Sequence, residues 1–425
     1  MKHSNRTSPL LGAATLAATL AAAAPASAQG QDLIVPAGTV IVYQTSNGPL
    51  RLRDLHIEAG GTLRAWGPEP LRISASRAII DGTLDASGGN SQGVVTLNTT
   101  NVPEPGAPGV AGGGRGGTGS ELTTASTPAG TPGLGSYDVP LFIPSVQGGS
   151  GGESCYALGD PDARRAAGGG GGALSVNQPV TADPLAEANR GLVATAGFGG
   201  SPLGTGAISG GTNQPAPPVG GAAGLPIFRD LDPGNDFWGE RIVGGALVVG
   251  EASGPWGGRG GGAGGDACRG ATFPLLPFNP TGDEKGAGGG GGGGVVLLLA
   301  RRIEVGPEGR IRADGGHGGG GENTVFFNRV GGGSGGGSGG WIVLEALEID
   351  LSQAGAAAIT ALGGRGGPGR NNAHDVVGAG GNGGPGVVQL HTPSGTAAEV
   401  LLPAASDVGD LTSPDGVVLL PVLGG

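Results

Sequence analysis

Between Pro49 and Gly89 the chain repeats itself every 21 residues. Pro49-Leu50-Arg51-Leu52 returns as Pro70-Leu71-Arg72-Ile73, and Gly61-Thr62-Leu63-Arg64-Ala65 returns as Gly82-Thr83-Leu84-Asp85-Ala86. Two separate motifs keep one offset. A unit this short cannot close a core alone and has to stack on its neighbours. Apolar residues alternate with polar ones, as in Leu50, Leu52 and then Leu71, Ile73, which is the periodicity of strands. The spacing predicts strands at Thr39 to Tyr43, Leu50 to Arg53, Leu55 to Ile57, Thr62 to Ala65, Leu71 to Ser74, Ala78 to Ile80 and Thr83 to Ala86. Three short strands and three turns per repeat make one coil of a parallel β-helix.

The same coil recurs further along. Gly309-Arg310-Ile311-Arg312-Ala313-Asp314-Gly315-Gly316 repeats the frame of Gly82 to Gly89, and Ala358 to Gly364 repeats most of it. Val296, Leu298, Ala300 and Ile303 align with Ile342, Leu344, Ala346 and Ile349 at an offset of 46. The expected fold is therefore all-β: a single-stranded, right-handed parallel β-helix, or solenoid, with long glycine-rich loops. The expected divisions are 1–28, an export signal; 29–89, regular coils of 21-residue period; 90–400, coils interrupted by glycine-rich loops; and 401–425, a C-terminal tail or cap.

Glycine contributes 99 residues and proline 33, about 31% of the 425, a share usual in low-complexity chains. Only 13% of residues are charged, and runs such as Val295-Val296-Leu297-Leu298-Leu299 are too apolar for a solvated tail. The glycine segments have their own grammar. Gly113 to Gly119, Gly315 to Gly321, Gly363 to Gly369 and Gly380 to Gly386 all read GGxGGxG. Glycine at a period of three suits extended polyproline-type chains lying side by side. It also suits flexible linkers, as Gly331 to Gly340 with its two serines suggests. Both readings stand at this point.

Met1 to Ala28 reads as a secretory signal: basic Lys2 and Arg6, an apolar stretch from Leu10 to Ala24, and the small-residue site Ala26-Ser27-Ala28. Secretion, to the outer cell surface, the medium or the periplasm, is the expected destination. No later segment is long and apolar enough to span a membrane. Without Lys2 and Arg6, 21 basic residues face 34 acidic ones, a net charge of −13, which argues against nucleic acid as a partner.

Two glycine runs end alike, at Glu153-Ser154-Cys155 and Asp266-Ala267-Cys268. Equivalent positions on stacked coils lie side by side, so a Cys155–Cys268 disulfide is expected in an oxidising compartment, the alternative being two unpaired cysteines on separate loops.

Chemistry is harder to find. Gly148 to Gly152, Gly332 to Gly336 and Gly336 to Gly340 match the GxSxG nucleophile pattern, but no helix follows any of these serines. The histidines of the exported chain, His56, His317, His374 and His391, show no metal spacing, and no phosphate-binding loop is present, so no cofactor or metal is expected. Asp81 and Asp85 have Gly60 and Arg64 one repeat earlier, so no ladder of acids forms, and Asp85 is placed to pair with Arg64. The segment Asp232 to Glu240 carries Asp236, Phe237 and Trp238 in a turn-rich context. Stacked aromatics beside carboxylates hold sugar rings, while the same aromatics also pin long loops to a core. Asp236, Phe237 and Trp238 are the candidate ligand-binding residues.

Coils alternating with GGxGG segments behind a signal peptide resemble the glycine-rich secreted proteins of high-GC bacteria described as PE-PGRS-like. The resemblance covers Gly82 to about Gly386 and is one of composition; the Pro-Glu amino-terminal domain of those proteins is absent. The coils of Pro49 to Gly89 also look like pectin-lyase-type β-helices without a recognisable active site. The resemblance implies a secreted structural or adhesive protein without catalysis, partnered by polysaccharide or other envelope and matrix components. The second expectation is a carbohydrate-active protein that binds or cleaves polysaccharide near Trp238.

Overall fold

The computed structural model describes residues 30–93, 104–119, 130–135, 148–151, 168–174, 221, 224, 227, 235, 237–243, 245–266, 285–322, 331–368, 379–404, 406–413 and 418–421. The described residues begin with six strands in succession: β1 (Gln31–Val35), β2 (Val40–Gln44), β3 (Leu50–Ile57), β4 (Thr62–Trp66), β5 (Leu71–Ile80) and β6 (Thr83–Asp85). A hairpin follows far downstream, β7 (Glu240–Val243) and β8 (Ala246–Val249). Then come β9 (Val295–Val305), β10 (Arg310–Arg312), β11 (Trp341–Asp350), β12 (Ile359–Thr360), β13 (Val387–Thr392), β14 (Val400–Leu401), β15 (Thr412–Ser413) and β16 (Val418–Pro421), with one short helix, α1 (Val408–Leu411), just before β15.

The strands build two parallel sheets. The larger has eight strands, in the order β1-β3-β5-β9-β11-β13-β16 with β14 beside β11; the smaller has six, in the order β2-β4-β6-β10-β12-β15. Parallel neighbours need a long crossover. Here each crossover between strands of one sheet contains a strand of the other. The expected single-stranded, right-handed parallel β-helix with long glycine-rich loops is corrected by this arrangement. Its coils require three strand-bearing faces, and the structure has two large parallel sheets with very few helices. The pairs read as separate strands, Leu50 to Arg53 with Leu55 to Ile57 and Leu71 to Ser74 with Ala78 to Ile80, are in fact the single strands β3 and β5. Neither Asp54 nor Ala75-Ser76-Arg77 contains the glycine or proline that would turn a corner.

The core lies between the sheets and is made of matched columns. Leu63, Leu84, Ile311 and Ile359 stack through the smaller sheet, and Ile73, Leu298, Leu344 and Leu390 through the larger; all are fully buried. Each such side chain contributes about 1.5–3 kcal/mol on burial. The repeated glycine that opens the Gly-x-Leu motif is there for closeness of approach: a Cβ on Gly82 would lie 2.3 Å from the Gly61 carbonyl oxygen, and one on Gly309 2.1 Å from that of Ile80. The 21-residue repeat holds in the smaller sheet, where Thr62 faces Thr83, but slips in the larger. There Leu50 faces Ile73 and Arg51 faces Ser74, two positions beyond the sequence repeat.

At one end of the sheets the chain runs out of β6, β10 and β12 into glycine segments and returns from them into β9, β11 and β13. Those segments are packed. In 285–294, Ala287, Gly290 and Gly293 donate to the carbonyls of Gly332, Gly335 and Ser338. Gly289 and Gly292 donate to Gly117 and Gly114, and Gly291 and Gly294 to Gly89 and Ala86, all at 2.8–3.0 Å. Every third residue faces the same neighbour, as in a threefold extended helix. Residues 331–340 repeat the scheme. Gly332, Gly335 and Ser338 donate to Gly265, Gly262 and Arg259; Ser334, Gly337 and Gly340 donate to Gly319, Gly316 and Ala313; Gly336 and Gly339 donate to Gly381 and Gly384. Of the two readings of these segments, side-by-side extended chains describe the residues seen. The interior of this glycine body is backbone. A Cβ on Gly290 would fall 2.2 Å from the Gly316 oxygen and one on Gly337 2.0 Å from that of Gly291. Its far end is closed by buried charge: Asp266 accepts from Gly286 N at 2.8 Å, Glu322 from Lys285 N at 2.9 Å, and Lys285 Nζ lies 3.6 Å from Asp266.

Candidate ligand-binding clefts

The outer face of the larger sheet, away from the core, is partly roofed by residues 237–256. Their anchor is a buried polar network on β13. Gln389 accepts from Trp341 Nε1 at 2.8 Å and from Trp238 N at 3.1 Å, and its amide donates to Trp238 O at 2.9 Å. The same amide lies 3.1 Å from His391 Nε2, while His391 Nδ1 lies 3.1 Å from the Pro421 carbonyl. A neutral ring that donates from Nδ1 and accepts at Nε2 satisfies both contacts. Burial lowers the His391 pKa to about 4, which keeps the ring neutral. Beside His391 in register lies Glu345, whose carboxyl pKa is pushed upward by burial.

Phe237 is buried, with the Arg241 guanidinium 4.9 Å from its ring centre, so it pins the segment to the sheet. Trp238 is half-buried and borders an open cleft of about 750 Å³. The floor of the cleft is the outer face of β3, β5 and β9, with Arg51, Arg72, Ser74, Leu297 and Leu299; Ser253 to Pro255 form a rim. Asp236 lies outside the described residues, as do Cys155, Cys268 and His374.

A second cleft, of about 560 Å³, lies where the outer face of the smaller sheet meets the glycine body. Several of its polar groups are already engaged: Arg64 with Asp85 at 3.0 Å, Arg312 with Asp314 at 2.8 Å, and His317 Nδ1 with the Arg365 N–H at 2.9 Å. Trp66 stands at its edge, 45% exposed. Asp81 lies in the bend between β5 and β6, and Asp85 ends β6 in the smaller sheet. Asp81 lies 3.2 Å from His56, and the pair of Asp85 with Arg64 is the one the repeat suggested.

The serines of the GxSxG matches at 332–340 are structural. Ser334 Oγ accepts from Gly319 N at 2.8 Å and Ser338 Oγ from Arg259 N at 2.7 Å, both fully buried inside the glycine body. Sequence reasoning named Trp238 but missed Arg51, Arg72, Gln389 and His391. The alternation in Leu50-Arg51-Leu52 and in Val388-Gln389-Leu390-His391 carried the signal, since polar positions within a strand that faces the core must point the other way.

Compared with known protein families, curated proteins and solved structures, the chain matches none, and neither a PE-PGRS-like nor a pectin-lyase-type family is identified. Among the described residues no helix is long and apolar enough to cross a membrane.

Proposed function

We propose that this is a secreted or cell-surface structural and adhesive protein that works by presenting rigid surfaces and not by catalysis. The observation that carries this reading is the glycine body, in which successive residues of one chain hydrogen-bond to three different neighbours. Such a lattice is mostly backbone, the serine hydroxyls buried in it bond to its own amides, and it serves to fix shape. The signal-like first 28 residues and the acidic exported chain support a location outside the cytoplasm. Fractionation of the producing cells into cytoplasm, periplasm, surface and medium tests it. The protein is expected in the surface or medium fractions, and confinement to the cytoplasm overturns the reading.

A second reading, binding of polysaccharide, is favoured by one observation: Trp238, held by backbone hydrogen bonds to Gln389, lines an open cleft with polar and apolar walls. An aromatic face fixed at the side of a shallow groove suits the apolar face of a sugar ring. The two readings are compatible in an adhesive protein.

A further inference from the structure

We propose that the cleft over Arg51 and Arg72 binds the carboxylate groups of an acidic polysaccharide. This deepens the surface-adhesive reading, on which it rests, by naming the ligand class and the residues that select it.

Arg53, Arg77 and Arg302 project from the outer face of the larger sheet, and each has a carboxylate within ion-pairing distance: Asp32 for Arg53, Glu304 for Arg77, and Glu304, Glu348 and Asp350 for Arg302. Arg51 and Arg72 project from the same face and are exposed, yet among the described residues no carboxylate reaches either. Among the described residues, none lining their cleft is acidic. In a chain whose exported part carries a net charge of −13, a pocket whose described lining has two cations and no anion is a local reversal of sign.

The two arginines are also placed as a pair. Arg51 faces Ser74 across the sheet, and Arg72 lies two residues before Ser74 on β5. Strand spacing and rise put their Cα atoms about 8 Å apart. Two guanidinium forks at that separation reach one carboxylate together or take one each from neighbouring residues of a chain. Ser74 and Ser76 supply hydroxyls beside them, while Trp238 and Leu299 supply apolar wall. This mixture of fixed cations, hydroxyls and an aromatic face fits a carboxylated sugar chain. A nucleic acid has a denser run of charge, which the acidic remainder of the molecule repels.

The test is titration calorimetry on the purified full chain with oligogalacturonate, with a neutral oligogalactoside of the same length, and with an oligoglutamate peptide. Oligogalacturonate is expected to bind, more weakly as salt is raised, and the other two are not. The double variant Arg51→Gln, Arg72→Gln should bind at least about tenfold more weakly with its melting temperature unchanged, since each guanidinium supplies charge-assisted hydrogen bonds. Arg301→Gln, an exposed arginine outside the cleft, should bind as the parent does. The proposal is overturned if oligogalacturonate fails to bind, if the neutral oligomer or the peptide binds as tightly, or if the double variant binds undiminished. Because the assay uses purified protein, a failure here leaves the fractionation result standing, and a cytoplasmic location leaves this result standing.

Discussion

The two halves of this molecule solve the same problem with opposite interiors. Between the sheets the interior is side chain: Leu, Ile, Val and Ala in columns, with backbone hydrogen bonds running only along each sheet. In the glycine body the interior is backbone, and hydrogen bonds leave each chain in three directions. The sheet region gains by removing apolar area from water. The glycine region has almost no such area and holds together through amide pairing and close backbone contact, against the large conformational entropy that glycine loses on ordering. One lesson is that a high glycine content does not by itself mean a mobile chain. What matters is whether glycine recurs with the period of a helix that can be packed on all sides.

The sharpest way to break this comparison is to put side chains where each interior forbids change. Leu344→Ala should cost about 2–5 kcal/mol through the cavity it leaves in the core. Gly337→Ala forces a Cβ to within 2.0 Å of the Gly291 oxygen and should cost about 3 kcal/mol through overpacking. Gly254→Ala has nothing within 4 Å of the new Cβ and should fall within about 0.5 kcal/mol of the parent. Denaturant unfolding of the three variants measures all of this. If Gly337→Ala is as mild as Gly254→Ala, the glycine body does not pack as described.

Acid sharpens the comparison from the sheet side. The His391 pKa is lowered by burial to about 4, while an unfolded chain titrates near 6.5. The unfolded state therefore binds the proton first as pH falls. Stability is fully present above about pH 6.5 and is lost progressively down to about pH 4, by roughly 2–3 kcal/mol. His391→Gln should flatten that slope in unfolding measured across this range. The smallest expected effect is on the surface: Arg64→Ala removes an ion pair with Asp85 whose arginine is about half exposed, and should cost less than about 1 kcal/mol in the same assay.

Much of the sheet region could be read directly from the chain. The alternation of Leu50, Leu52, Leu63 and Leu84 marked strands and their buried face, and the offset of 46 placed Val296 opposite Ile342, as the structure pairs them. The number of faces could not be read, because nothing in Arg53-Asp54-Leu55 distinguishes a corner from a continuous strand with an irregularity in its pairing. The two-residue slip that sets Arg51 beside Ser74 was hidden for a similar reason: the repeat is a property of the chain, and register is decided by how the columns pack. In the glycine region the period of three was visible, but which segments bond to which was not, since glycine chains align with one another at any register. The candidate cleft was legible only through Trp238. Its arginines became significant when the neighbouring arginines of the same face proved to be paired and they did not.

The most direct measurement is hydrogen exchange of backbone amides in the purified full chain, followed by mass spectrometry or magnetic resonance. The amides of Gly289 to Gly293 and of Ser334 to Gly340 should exchange as slowly as those of the core strands β9 and β11, because they are hydrogen-bonded within a packed interior. Exchange of these glycines at the rate of an unstructured chain, alongside slow exchange in β9 and β11, would contradict the packed glycine body and with it the reading of this protein as a rigid scaffold.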